Sequence, residues 1–177
     1  MPKMNNVYLK NIIRFVLLIL FQVLVLDTMQ FDGYVIPYVY LLFILLLPFD
    51  TNKSLLLLLA FLTGLSIDFF ENTLGLHAAA IVFMAFARPG VLKFYFPALE
   101  HGKGEEPGLS KIGVTGFLKY SFTLVFLHQV LLTFLEVFSL QDFLQTLSHI
   151  FINTLATTLG ILIVVMLFTP KRRKRKI

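Results

Sequence analysis

Apolar runs separated by short polar breaks divide the chain into six stretches. The first follows Lys3, Lys10 and Arg14 and stays apolar to Leu26. The others occupy roughly 34–49, 55–70, 76–87, 117–138 and 149–168. Runs such as SLLLLLAFLT (54–63) and AAAIVFMAFA (78–87) have no polar face. A segment that is hydrophobic all round is buried or lies in lipid, so each run predicts a membrane-crossing helix. The pattern predicts an all-α integral membrane protein, a six-transmembrane-helix bundle forming one domain over 1–177. Runs three and four are near or below the usual lower limit of ~17 residues, so they imply helices that reach into their flanks or a locally thinned bilayer.

Local signals refine these elements. In run two, Tyr34, Tyr38 and Tyr40 read as an interfacial aromatic belt, and Pro37 falls where a first helical turn tolerates it. Pro48 marks the exit, and Asn52 or Ser54 is placed to cap helix three. Arg88-Pro89-Gly90 reads as the end of helix four and opens a polar loop over 89–116. Within it, 91–97 suits the membrane surface, and the Gly-, Pro- and charge-rich 101–108 reads as a mobile loop. Gln22 is the internal polar residue of run one and predicts a helix–helix hydrogen bond. Ala156 and Gly160 form a small-xxx-small pair for close helix contact.

Composition agrees with the pattern: 58% hydrophobic, 14% charged, mean hydropathy +0.85. A chain without cysteine has no disulfide, thiolate metal site or cysteine nucleophile. The net charge of +5 acquires meaning from its placement. With six spans and a cytoplasmic amino end, Lys53, Arg88, Lys93, Lys103, Lys111 and Lys119 fall inside. The outer connections 27–33, 71–75 and 139–148 then carry no Lys or Arg, whereas Asp27, Asp32, Asp68, Glu71, Glu136 and Asp142 lie at or toward the outer face. This is the positive-inside distribution, with both termini cytoplasmic. No small-x-small cleavage site follows run one, so it reads as an uncleaved first helix. The tail 170–177, PKRRKRKI, is a cytoplasmic polybasic segment drawn to anionic lipid by about 1 kcal/mol per basic residue; nucleic acid is not an expected partner.

Candidate chemistry concentrates in Gly64-Leu-Ser-Ile-Asp68-Phe-Phe-Glu71-Asn-Thr-Leu74-Gly75-Leu76-His77. A carboxylate inside an apolar run is costly and marks a functional or structural site. Gly64 lies one turn from Asp68 on the same face, so a neighbouring backbone can come close there. Asp68 can then accept hydrogen bonds from amides opening helix four around Leu74–His77, making Gly64 and Asp68 a latch between helices three and four. Proton or solute handling by Asp68 is the competing reading. The chain has no G-x-S-x-G or H-E-x-x-H motif. His77, His101, His128 and His149 are scattered, and His128 and Glu136 share a face two turns apart without touching. No enzyme, metal or cofactor is expected.

Six short spans, Gly64-Leu65-x-x-Asp68 closing helix three, Leu74-Gly75 opening helix four, the proline in helix two and the basic tail resemble the rod-shape-determining membrane protein family MreD. The resemblance implies a non-enzymatic inner-membrane component of the bacterial cell-elongation complex. Such a protein supports rod shape beside an MreC-like periplasmic scaffold, and indirectly an MreB-like filament and the peptidoglycan synthases. Gly64, Asp68, Glu71, Leu74, Gly75, His77 and Glu136 are then structural or partner-contacting candidates. The resemblance also implies similarity to the substrate-binding subunit fold of energy-coupling-factor transporters. The alternative function is therefore the solute-binding subunit of a vitamin transporter. Such subunits carry an Ala-x-x-x-Ala pair on helix one, and FVLLILFQVLVL has no alanine. A flippase for a lipid-linked precursor would need a central cationic cavity, and the sequence places no basic residue in a span centre.

Overall fold

A computed structural model describes residues 2–28, 35–137 and 143–168. Tyr34, Asp32, Asp142, most of the expected outer connection 27–33 and the polybasic tail lie outside the described residues. Helix α1 spans Pro2–Phe21 and continues as one wide π turn, Gln22–Leu26. A 3-10 turn, Val39–Leu41, leads into the four-residue α2, Leu42–Leu45. Four long helices follow: α3 (Lys53–Glu71), α4 (Leu76–Tyr95), α5 (Leu109–Val137) and α6 (Phe143–Phe168). No β-strand occurs among the described residues, and five helices are long and apolar enough to cross a membrane.

The long helices behave as their composition requires. Much of each faces outward with apolar side chains, such as Leu17, Leu58, Phe86, Leu159 and Ile163. In a bilayer these contact lipid at no hydrophobic cost. Asn52 caps α3, its side-chain oxygen accepting from Ser54 N at 2.9 Å.

Run two departs from expectation: it is not one helix over 34–49. Pro37 precedes the 3-10 turn instead of sitting in a helical first turn. Pro37 and Pro48 bracket the stretch, and each also biases the residue before it away from helix. That leaves room for little more than a turn of each kind. The result is the most buried part of the protein, with Val39 to Leu47 all at 9% exposure or less.

Irregular backbone at such a depth is tolerated only where protein groups satisfy it, and here side chains from four helices do so. Val39 N donates to Gln22 Oε1 at 2.9 Å, and Tyr38 N to Thr157 Oγ1 at 3.1 Å. At the other end Tyr120 Oη donates to the Leu45 carbonyl at 3.0 Å, Arg14 to the Leu46 carbonyl at 3.3 Å, and Arg88 to the Leu47 carbonyl. Gln22 thus serves this backbone, not a second helix. Gly160 faces Val39 and Pro37, because a Cβ there would meet Val39 Cγ2 at 3.3 Å. Since Val39 pairs with Gln22 and Leu46 with Arg14, the stretch runs back along α1.

Two further boundaries differ from the sequence reading. Helix α4 does not stop at Arg88-Pro89-Gly90 but continues to Tyr95. An internal proline costs about 3 kcal/mol. Against that, Arg88 is anchored before it, Leu92 is buried after it, and Tyr95 Oη bonds Thr123 Oγ1 of α5 at 3.0 Å. Helix α5 starts at Leu109 with a kink at Gly113, ahead of the expected start near Phe117.

The connection between α4 and α5, read as mobile, is docked. Glu106 forms ion pairs with Lys10 and Arg14, both at 2.9 Å. Phe49 N donates to the Glu105 carbonyl at 2.9 Å, and Gly104 N donates to Asp50 Oδ1 at 3.1 Å. These contacts tie the loop to the middle of α1 and to the end of the buried stretch.

Candidate functional site

The joint between α3 and α4 is built from very few residues. Helix α3 ends at Asn72, which takes the left-handed conformation (φ 56). Gly75 (φ 88) holds the position before α4, where a side chain would be strained. This turn brings the first amides of α4 over the last turn of α3. Asp68, buried, accepts from His77 N at 3.0 Å and from the Thr73 hydroxyl at 2.6 Å through Oδ1. Its Oδ2 accepts from Ala78 N at 2.9 Å. The carboxylate therefore occupies the amino end of α4, where unpaired N–H groups and the helix dipole favour an anion.

Gly64 makes this approach possible. A Cβ at Gly64 would lie 2.4 Å from Ala78 Cα and 2.6 Å from Ala78 N. No real contact is that short, so the two helices meet backbone to backbone.

The candidates around this joint take different positions. Glu71 pairs with His77, Oε2 to Nε2 at 2.8 Å. His77 is buried, whereas Leu74 is fully exposed on the connecting turn. Glu136 is exposed near the end of α5, within electrostatic reach of His77 and Glu71. Asp27 follows the π turn of α1 and accepts from Gln22 Nε2 at 2.8 Å. Burial pushes the Asp27 carboxyl up to about 6; the Gln22 amide opposes the rise, and Glu71 adds to it. Asp27 and Glu71, with Val23, Ile36 and Phe70, line an open recess of about 320 Å3. An apolar groove of about 490 Å3 runs beside it between α1 and α3, lined by Phe15, Leu62, Leu65, Ser66, Phe69 and Phe70.

The sequence reading missed the centre of the site. Tyr38 and Tyr40 do not form an interfacial belt. Tyr40 is fully buried, with its hydroxyl 3.0 Å from both His77 Nδ1 and His128 Nε2. Tyr38 packs its ring against the same two histidines, centroids 5.4 and 6.0 Å away. Arg88, expected at the cytoplasmic flank, is 1% exposed and lies in the core. The only available signal was the proline bracket: a stretch too short for a helix places its tyrosines by other rules.

The hydroxyls of Thr63, Ser66 and Ser121 donate to carbonyls of their own helices, so none is set beside a base. Among the described residues no group of three His, Asp or Glu side chains is placed to hold a metal ion. Comparison of the chain with protein-family models, with curated proteins and with solved structures finds no match in any of the three.

Proposed function

We propose that this chain is a non-enzymatic inner-membrane component of the bacterial cell-elongation complex, similar to the MreD family. In this reading it supports rod shape by linking an MreC-like periplasmic scaffold, and through it an MreB-like filament, to the peptidoglycan synthases. The observation that supports it is the use made of the residues carrying the resemblance. Gly64, Asp68 and Gly75 join two helices. Such a joint shapes an outer surface for a partner. In this reading the stretch 35–49 counts as a further crossing beside the five long helices, for six passages with both termini cytoplasmic, in the manner of the energy-coupling-factor substrate-binding subunits. The apolar groove between α1 and α3 suits a single-span partner helix, and the basic tail suits anionic lipid. Depletion in the native host tests the assignment. Rods should become round and recover when the gene is restored, and cells that keep their shape and width overturn it.

One observation favours the second reading, a vitamin-binding transporter subunit. Gln129 of α5 and Asn153, Thr154 and Thr158 of α6 each bury a polar atom without a partner among the described residues. Calorimetry on the purified protein separates the two. No vitamin should bind with a Kd below about 1 μM, a binding free energy of about −8 kcal/mol; tighter binding replaces the scaffold assignment.

A further inference from the structure

Helix α3 carries two stripes. One, which includes Thr63, Gly64, Ile67 and Asp68, is buried against the rest of the protein. The other, Leu62, Leu65, Ser66, Phe69 and Phe70, lines the apolar groove together with Phe15 of α1. Its four large residues are 44% to 81% exposed. These positions recur at i, i+3, i+4, i+7 and i+8, the spacing along which a second helix packs. They extend over about 12 Å at 1.5 Å per residue. Ser66 is the small residue among them, the point of closest approach for another helix. Its hydroxyl is spent on the Leu62 carbonyl at 2.7 Å. The groove therefore offers no free hydrogen-bonding side chain, and what fills it is apolar along this length.

An apolar stripe in lipid needs no cover, so the groove alone names no occupant. Its end beside Glu71 does. Phe70 lines both the groove and the recess, and the recess adds the carboxyls of Asp27 and Glu71. Glu71 is 23% exposed there. The two acids feel one another, because Glu71 adds to the rise that burial imposes on Asp27. Gln22 Nε2 serves Asp27 and His77 Nε2 serves Glu71, both at 2.8 Å, and no Lys or Arg pairs with either among the described residues. The recess thus keeps negative charge that the chain cannot neutralise, since the outer connections 27–33, 71–75 and 139–148 contain no Lys or Arg. A second copy brings the same acidic face and cannot complement it.

We propose that the groove between α1 and α3 and the recess at its end form one docking site for a single membrane-spanning helix of another protein, apolar along the groove and carrying Lys or Arg where it leaves the membrane on the outer side. This rests on the reading of the chain as a membrane scaffold and names where its single-span partner binds. Charge is the selective element. Packing on the stripe exchanges lipid for side chains of similar polarity and discriminates little by itself, whereas a cation beside two carboxyls at the membrane boundary is attracted in a medium less polar than water. The requirement is narrow, because the outer flanks of membrane spans are poor in Lys and Arg. A lipid with an ammonium headgroup offers the same charge on a flexible chain, without a rigid row of side chains to match a stripe at helical spacing.

Photo-crosslinking of the full-length protein in its native host tests the site. Benzoylphenylalanine is placed at Leu65 in the groove and, as a control, at Leu159, an exposed residue of α6. Leu65 should give an adduct that maps within the span of a single-span protein, and Leu159 should not. That protein should carry Lys or Arg in the turn that follows its span on the outer side. Asp27→Asn together with Glu71→Gln should lower the adduct about fivefold, the worth of one partly exposed ion pair. Changing the partner's basic residue to Gln should lower it equally while leaving this chain untouched. Ser66→Phe, which fills the groove from a position facing lipid, should lower it with the unfolding midpoint unchanged. An adduct with lipid alone, with a second copy, or with a protein lacking that basic residue overturns the proposal. So does the absence of an adduct at Leu65, or one that survives loss of charge or filling of the groove. If the acid variants do not fold, the partner's variant and Ser66→Phe decide the outcome. Depletion is read separately: rounded cells without this adduct place the partner elsewhere on the scaffold, and the expected adduct in a chain whose depletion leaves shape unchanged keeps the docking site and removes the elongation role.

Discussion

Gly64→Leu should leave almost no folded protein in the membrane. The atoms that its side chain meets are Ala78 Cα and N, which cannot rotate aside as a side chain can. Helices α3 and α4 must therefore part, and parting them also breaks the bonds from His77 N and Ala78 N to Asp68. Overpacking alone costs about 1–3 kcal/mol, and each hydrogen bond to a charged group about 1.5–3 kcal/mol. The sum rivals the entire stability of about 5–15 kcal/mol typical of a folded domain. Asp68→Leu removes three accepted bonds at once and should be nearly as damaging. Gly64→Ala should be intermediate. Asp68→Asn keeps one carbonyl acceptor of the same shape and should cost about 1–2 kcal/mol. Thermal unfolding in detergent should rank Asn above Ala, and Ala above both Leu variants. A Gly64→Leu protein as stable as the native one contradicts the backbone contact. An Asp68→Asn protein that folds normally but fails to support cell shape would show that Asp68 acts through its proton.

Arg88→Met should cost about 3 kcal/mol or more. The guanidinium donates to the Leu47 carbonyl and, from Nε, to Tyr120 Oη at 2.9 Å. Tyr120 passes its own proton to the Leu45 carbonyl at 3.0 Å. One cation thus secures the Leu47 carbonyl directly and the tyrosine that pairs the Leu45 carbonyl. Methionine fills much of the volume but leaves the Leu47 carbonyl and the Tyr120 hydroxyl oxygen without their donor, and a buried unpaired group costs about 1–3 kcal/mol. Arg88→Lys should recover only part of the loss, because an ammonium lacks the planar fork that reaches two partners together. The same unfolding measurement checks this: Met should fall furthest, Lys between. An unchanged midpoint for Arg88→Met would mean that the buried stretch is held by packing alone.

The helical, membrane-class character of the chain was legible because it rests on long-range composition and on runs with no polar face. The cap of α3 was legible because Asn52 acts within its own turn. Boundaries went wrong where tertiary contacts outweigh local preference, as at Pro89, where Arg88, Leu92 and Tyr95 hold the next turn against α5 and the core. Run two failed for a different reason. Hydrophobicity reports that a stretch avoids water but not whether lipid or protein surrounds it, and only Pro37 and Pro48 hinted at the latter. Within the candidate site, Gly64, Asp68 and the amides of α4 lie close in sequence, so their geometry follows from helical spacing and one turn. Tyr40, His77 and His128 come from three separate elements, and no spacing rule connects them.

The buried stretch 35–49 also imposes an order on biogenesis. Its partners Arg88, Tyr120 and Thr157 leave the ribosome long after the stretch itself. An unpaired backbone group in hydrocarbon costs several kcal/mol, so the nascent stretch must meet its own amide and carbonyl needs until those residues arrive. Its final broken path becomes affordable only once α4, α5 and, last of all, Thr157 of α6 are in place. A stretch that precedes α3 to α6 in the chain is therefore later than they are to reach its mature shape, and α6 completes a core that was begun before it was made.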